Sequence, residues 1–169
     1  HFRLEGKLQP GVMAKDISLR CIGEIGVDGA TYRALQFDGP GASNLSMDDR
    51  MTIANMAIEA GARAGLIAPD QKTYDYLRGR EFAPQGESWE LALNYWKSLP
   101  SDADARFDAS VELQAADIAP QVSWGTSPEQ VAAVNGTVPG PDSFTDANKA
   151  LACKSALAYM GLAAGTKIT

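Results

Sequence analysis

Three side chains that can take part in hydrogen bonding or proton transfer fall at helical spacing within one segment. Thr52, Asn55 and Glu59 are three and four residues apart, so a helix would place them on one face. The neighbours of Glu59 are mostly apolar, which predicts a partly desolvated carboxylate suited to acid–base chemistry. The alternative is that this face is the solvated side of an amphipathic helix. The pattern makes Glu59 a catalytic candidate and leaves that alternative open.

The helix that would carry these residues has clear start and stop signals. Ser46 and Asp49 have the spacing of a capping box, and Gly61 is typical of a left-handed stop. These signals predict a helix over residues 46–60. Its apolar positions are expected to form the buried stripe: Met51, Ala54 and Ile58.

Strand and helix patterns alternate along the rest of the chain. Strands are predicted over residues 2–6, 31–37, 64–68 and 107–113. Helices are predicted over residues 14–22 and 70–77, from Ser88 through Trp96, from Ser127, and over residues 146–160, with a turn at residues 39–41. The alternation predicts an α/β fold, a sheet with packed helices, in one unit of 169 residues. Its core is expected over about residues 1–83, followed by helix, strand and C-terminal helix over about 84–169.

Other candidate residues each have a structural alternative. Residues 121–128 combine hydroxyls and Trp124 before a predicted helix start, where an anion could bind, although N-capping and a core tryptophan explain the same residues. Arginines near helix ends could bind a carboxylate or complement helix dipoles: Arg63, Arg78 and Arg80. Cys21 and Cys153 form no Cys-x-x-Cys pair and are expected to be small buried hydrophobes. His1 is the single histidine, which excludes Ser-His-Asp triads and His-rich zinc sites within this chain.

Composition and charge exclude several classes of partner. The chain has 15 Lys and Arg against 21 Asp and Glu, a formal charge of −6, and no basic cluster, so nucleic acid is not expected as a partner. No apolar run approaches the roughly 20 residues that span a bilayer, and no basic segment precedes an apolar one at the start. These features predict no membrane insertion and no secretion by a visible signal, and the two widely separated cysteines favour a reducing cytoplasm.

Five stretches of the sequence together resemble the aconitase superfamily. They are PGVMAKD at residues 10–16, LSMDDRMTIANMAIEAGA at 45–62, AGLIAPD at 64–70, PQVSWGTSP at 120–128 and ALAYMGL at 156–162. Within the superfamily the chain is similar to the large subunits of 3-isopropylmalate dehydratases. The large subunits of homoaconitases and dimethylmalate dehydratases are alternatives, as is a non-catalytic binding or scaffold domain of the same fold. The resemblance implies a three-layer αβα arrangement.

The resemblance implies a hydro-lyase that isomerises 2-isopropylmalate to 3-isopropylmalate by dehydration and rehydration, using a [4Fe-4S] cluster. In the family's Asn-Met-x-x-Glu helix, the two named side chains face the cluster, and here they correspond to Asn55 and Glu59. The resemblance implies that Glu59 hydrogen-bonds the hydroxyl or water on the open iron and that Asn55 orients the surroundings of the cluster. No role carries over to Thr52.

Several of the family's functional segments are absent from this sequence. It has neither the Cys-Thr-Asn and Cys-x-x-Cys segments that hold the cluster nor the Asp-Ser-His segment. The resemblance therefore implies an internal segment of the large subunit with no metal ligands, no cluster and no turnover on its own. Its implied partners are the remainder of the large subunit, the small subunit, which supplies a serine base and arginines, and 2- or 3-isopropylmalate as substrate. An isolated segment is also expected to self-associate through apolar surface that those partners would cover.

Overall fold

The computed structural model describes residues 1–168 and contains two sheets with helices packed against them. The strands are β1 Phe2–Glu5, β2 Ala34–Asp38, β3 Ala64–Leu66, β4 Val111–Gln114, β5 Gln121–Ser123 and β6 Val131–Ala133. The α-helices are α1 Ala14–Ile25, α2 Gly39–Asn44, α3 Met47–Met56, α4 Gln71–Leu77, α5 Glu87–Trp96 and α6 Ala147–Met160. Short 3-10 helices cover Ala57–Ala60, Ala115–Asp117 and Pro141–Ser143.

The larger sheet has four parallel strands in the order β3-β2-β1-β4. Phe2 of β1 lies opposite Phe37 of β2 on one side and Val111 of β4 on the other. Parallel neighbours need crossover connections, and α1 and α3 supply two of them. The α/β prediction, a sheet with packed helices, is confirmed.

The main hydrophobic core lies between one face of this sheet and the helices α1 and α3. Successive side chains of β1 point to opposite faces of the sheet, so Phe2 and Leu4 are buried and Arg3 is exposed. On the helical side, Ile17 and Ile22 are each 2% exposed. Residues after the predicted boundary near 84 also enter this core, because β4 completes the sheet: Leu113, Ala115 and Ile118.

A second, smaller core forms where the antiparallel hairpin of β5 and β6 meets α6. Its buried residues are Trp124, Val138, Cys153, Ala156 and Leu157. The helix α6 begins at its predicted position because the Asp146 carboxylate accepts hydrogen bonds from the amides of Asn148 and Lys149. Gly161 ends it in the left-handed conformation. Among residues 1–168, no helix is both long enough and apolar enough to cross a bilayer.

Two local predictions are wrong. Residues 39–41 open α2 rather than a simple turn, because Pro40 lies in the first turn, where its fixed φ suits a helix. Gly39 has φ 91°, and a Cβ there would lie 2.5 Å from the Leu4 carbonyl oxygen, so this position requires glycine. The helix predicted from Ser127 does not form. Instead the Gln130 amide donates to the Ser127 carbonyl in a turn, and the chain continues into β6.

Two element starts also differ from their predictions. The helix α5 begins at Glu87 after Gly86, so Ser88 lies inside the helix and does not cap it. The strand predicted from residue 107 begins only at Val111. Val111 lies opposite Phe2, the first residue of β1, and its amide donates to the His1 carbonyl. Residues 107–110 therefore have no partner strand in β1.

Candidate functional site

The segment that carries Thr52, Asn55 and Glu59 begins as predicted but tightens before its end. Ser46 caps α3, and its hydroxyl oxygen accepts from the Asp49 amide at 3.2 Å. The α-helix ends at Met56, and a 3-10 turn over Ala57–Ala60 follows. Gly61 then closes the segment with φ 81°. Glu59 therefore lies on the 3-10 turn, one element beyond Asn55.

The buried face of this segment is not the predicted stripe. Met51 is 45% exposed and Ile58 is 69% exposed. The residues that face the core are instead Arg50, Ile53, Ala57 and Ala60. The backbones approach so closely that a Cβ on Gly65 of β3 would lie 2.6 Å from the Ala54 carbonyl oxygen. Such close packing favours alanine over larger apolar side chains on this face.

The three predicted site residues have different surroundings. Thr52 is half-buried, and its hydroxyl donates to the Asp48 carbonyl at 2.9 Å, an ordinary bond within a helix. Asn55 and Glu59 are exposed, and neither side chain makes a hydrogen bond or ion pair with the described residues 1–168. The predicted desolvation of Glu59 is wrong, because the packed face of the helix lies elsewhere. The alternative, that this face is the solvated side of the helix, is correct for the exposure of Glu59.

Glu59 nevertheless lines a cleft of about 690 Å³. One wall comes from the start of α1 and the end of the α3 segment, including Lys15, Leu19 and Met56. The other wall is residues 121–128, called here the hairpin wall, without the buried Trp124. Asn55 is not among the lining residues. The cleft thus brings Glu59 together with the second predicted segment, although the two are far apart in sequence.

The hairpin wall does not offer the anion site that its sequence indicates. The Gln130 carboxamide oxygen accepts from the amides of Thr126 and Ser127, at 2.6 and 3.2 Å. The Trp124 amide donates to the Gln130 carbonyl at 2.9 Å. Because these amides already have acceptors and no helix begins here, the anion-binding interpretation is wrong. Ser123 and Thr126 are exposed residues that line the cleft.

One buried carboxylate at the cleft was not a site candidate from sequence. Asp16 is 9% exposed and occupies the third position of α1. One of its oxygens accepts from the Met13 amide at 2.7 Å, and the other accepts from the Gln121 amide at 2.7 Å. The Met13-x-x-Asp16 spacing indicates the first bond. Nothing local indicates the second, because its donor is 105 residues away.

A second charged group that the sequence did not single out fixes the start of α3. The Arg50 side chain is 4% exposed and donates to both oxygens of Asp70, at 2.8 and 2.6 Å. It also donates to the Ser43 carbonyl at 3.1 Å. The bidentate bond from Arg50 holds the pKa of the Asp70 carboxyl below its usual value. Asp70 in turn caps α4, so this ion pair joins two helices.

The three candidate arginines do not converge on the cleft. Arg63 lies over the ring of Tyr32, with its guanidinium carbon 5.1 Å from the ring centroid. The other two make similar contacts: Arg78 with Trp89, and Arg80 with Tyr76. Each guanidinium thus has an aromatic partner, and none of the three residues lines the cleft.

The two cysteines do not fit the ligand set of an iron–sulfur cluster. Cys21 lies in the main core and Cys153 in the second core. Burial raises the pKa of the Cys21 thiol to about 12 and also raises the pKa of Cys153, whereas metal ligation requires thiolates. Within residues 1–168, no group of three or more His, Cys, Asp or Glu side chains could hold a metal ion.

The sequence profile of the aconitase family (aconitate hydratase) matches residues 1–169, the full length of the chain.

Proposed function

Because this chain belongs to the aconitase family, we propose that it is part of the large subunit of a 3-isopropylmalate dehydratase. The family is one of hydro-lyases. In this proposal the complete enzyme isomerises 2-isopropylmalate to 3-isopropylmalate in leucine biosynthesis, and this segment acts together with the remainder of the large subunit and a small subunit. The five stretches that resemble such large subunits, among them residues 45–62 and 120–128, support this choice within the family.

The observation that carries a catalytic role for this segment is the position of Glu59. It is the carboxylate at the cleft that is free to meet a ligand, because both oxygens of Asp16 are already bonded to backbone amides. An exposed carboxylate facing a cleft of this size can reach a small substrate directly. Asn55, one turn earlier, is free to orient a neighbouring group by hydrogen bonding.

The reaction requires removal of a hydroxyl from one carbon and a proton from its neighbour. Hydroxide is a poor leaving group, so a proton must reach its oxygen as the carbon–oxygen bond breaks. In this proposal Glu59 hydrogen-bonds the departing hydroxyl and passes it the proton it needs, so that water leaves, while the proton of the neighbouring carbon goes to the serine base of the small subunit. In the rehydration step Glu59 accepts a proton from the water that adds to carbon, and the serine base returns its proton to the adjacent carbon.

Aconitase-family enzymes typically use a [4Fe-4S] cluster. The thiols of this segment lie in separate cores and do not fit such a cluster, so we derive no step through it from these residues. Glu59 and Asn55 are proposed as the contribution of this segment to a centre whose metal ligands come from elsewhere.

The proposal is tested with the complete enzyme that carries this chain, reconstituted with its cluster and small subunit. We expect conversion of 2-isopropylmalate, with kcat/KM well above the values for homocitrate and 2,3-dimethylmalate. Preference for either of the other two acids would assign the chain to that relative. No turnover of any of them would favour the scaffold alternative.

A further inference from the structure

We propose that Asp16 is a positioning residue that fixes the hairpin wall opposite Glu59. Its two carboxylate oxygens bond to two different segments: one accepts from the Met13 amide and the other from the Gln121 amide, each at 2.7 Å. Met13 precedes α1 and Gln121 is the first residue of β5. One buried side chain thereby joins the two walls of the cleft.

The geometry of the hairpin makes this anchor effective. Beyond Gln121, the wall is held internally by pairing of β5 with β6 and by the bonds of Gln130 to the turn. These bonds connect the wall internally as one unit, and the bond to Asp16 fixes its Gln121 end to α1. A hydrogen bond that a carboxylate accepts is stronger than one between neutral groups, and burial strengthens it further.

A comparison within the chain isolates this long-range role. Asp49 occupies the corresponding third position of α3 and also accepts from the residue that caps its helix. It uses a single oxygen, which accepts from both the amide and the hydroxyl of Ser46. Asparagine retains one such oxygen, so Asp49→Asn keeps the local cap. Asp16→Asn cannot satisfy two amide donors, because its NH2 group would face one of them.

The test compares Asp16→Asn with Asp49→Asn in the 169-residue chain. We expect Asp16→Asn to accelerate hydrogen exchange of the Gln121 amide by about 10- to 100-fold, the range for losing a bond to a charged acceptor, and Asp49→Asn to leave it unchanged. Equal exchange in both variants would overturn the proposal. If Asp16→Asn does not fold, hydrogen exchange of the Gln121 amide is measured in the unsubstituted chain. Exchange as fast as that of an exposed loop amide would also overturn the proposal.

A distance measurement separates positioning from general stability. Spin labels at Met51→Cys on α3 and Ser123→Cys on the hairpin wall report the distance between α3 and the hairpin wall. Both positions are exposed, while the native cysteines are buried. Added Asp16→Asn should broaden or shift the distance distribution, and added Asp49→Asn should not. A loss of thermal stability with an unchanged distribution would show a purely structural role.

The expected effect of Asp16 on catalysis rests on the proposed function. Its test can be separated from the test of the positioning role. In the complete enzyme, Asp16→Asn should lower kcat by about 10- to 100-fold, as expected when a cleft wall is misplaced by about 1 Å, while Asp49→Asn should not. If the wall moves but Glu59→Gln turns over normally, the catalytic role proposed for Glu59 fails and the positioning role stands. If the wall does not move, the positioning role fails whatever the result for Glu59.

Discussion

The ion pair between Arg50 and Asp70 provides a sharp test of what holds the site segment in place. We predict that Asp70→Asn destabilises the chain chiefly by removing the negative charge. Asparagine is a good helix cap, and its oxygen can still accept from the Lys72 amide, which now bonds to Asp70 at 3.0 Å. The lost interaction is the bidentate bond to Arg50.

The expected magnitude follows from the unequal burial of the two partners. Breaking a fully buried pair costs about 3–5 kcal/mol, whereas an exposed pair contributes about 0–1 kcal/mol. The Arg50 side chain is 4% exposed, so its charge would lose its partner in a buried position, but the Asp70 side chain is 38% exposed and water can partly replace it. We therefore expect a loss of about 2 kcal/mol, or a drop in Tm of about 4–8 °C for a chain of this size.

The pH dependence of this loss has a defined sign. The folded-state pKa of Asp70 is lowered, chiefly by its hydrogen bond to Arg50, so the pair contributes stability that is fully present above the unfolded-state pKa. That contribution is lost as the pH falls through the folded-state pKa. The difference in unfolding free energy between the unsubstituted chain and Asp70→Asn should thus be constant near neutral pH and shrink below about pH 4.

Urea unfolding at pH 7 and at several lower values measures this difference. Asp70→Ala serves as a comparison, since it also removes the cap and should cost about 1 kcal/mol more than Asp70→Asn. Equal stability of the unsubstituted chain and Asp70→Asn at pH 7 would refute the reasoning. So would a difference that stays the same down to pH 3.

Two further predictions concern the packing of the helices and the thiols. Gly65→Ala should destabilise the chain by about 2 kcal/mol, because the new Cβ would lie 2.6 Å from a backbone oxygen of Ala54. Urea unfolding measures this loss, and an unchanged midpoint would contradict the close packing of α3 on β3. In the native state, Cys21 and Cys153 should react with a thiol reagent at least about 100-fold more slowly than in urea, because both are buried and their pKa values are raised. Rapid labelling of either cysteine in the native state would contradict its position in a hydrophobic core.

Local signals in the sequence predicted the strands of the larger sheet and most of the long helices, but not which of their faces would be buried. The capping box of Ser46 and Asp49 and the stop at Gly61 gave the bounds of the site segment correctly. The buried stripe was wrong because close packing favours small residues and because Arg50 is buried with a partner 20 residues away. The burial of a charged residue depends on a tertiary partner, and the spacing of apolar residues does not report it.

The hairpin wall shows the same limit at the candidate site. The sequence Ser-Pro-Glu-Gln is typical of a helix start, but the Gln130 side chain instead bonds to amides that precede it. Pairing of β5 with β6 decides between the two conformations, and such pairing is not visible in a short window. Asn55 and Glu59 were selected by spacing and by resemblance, and their roles stay a prediction.

The most direct test of a catalytic Glu59 is the substitution Glu59→Gln in the complete enzyme, with Glu90→Gln as the control. Both residues are exposed and in helical segments, but only Glu59 lines the cleft. We predict that Glu59→Gln lowers kcat by about 100- to 10,000-fold, the range for general acid–base catalysis, while thermal unfolding of the 169-residue chain hardly changes. Glu90→Gln should change neither. Normal turnover of Glu59→Gln, or a loss of turnover matched by a loss of stability, would contradict the proposed role.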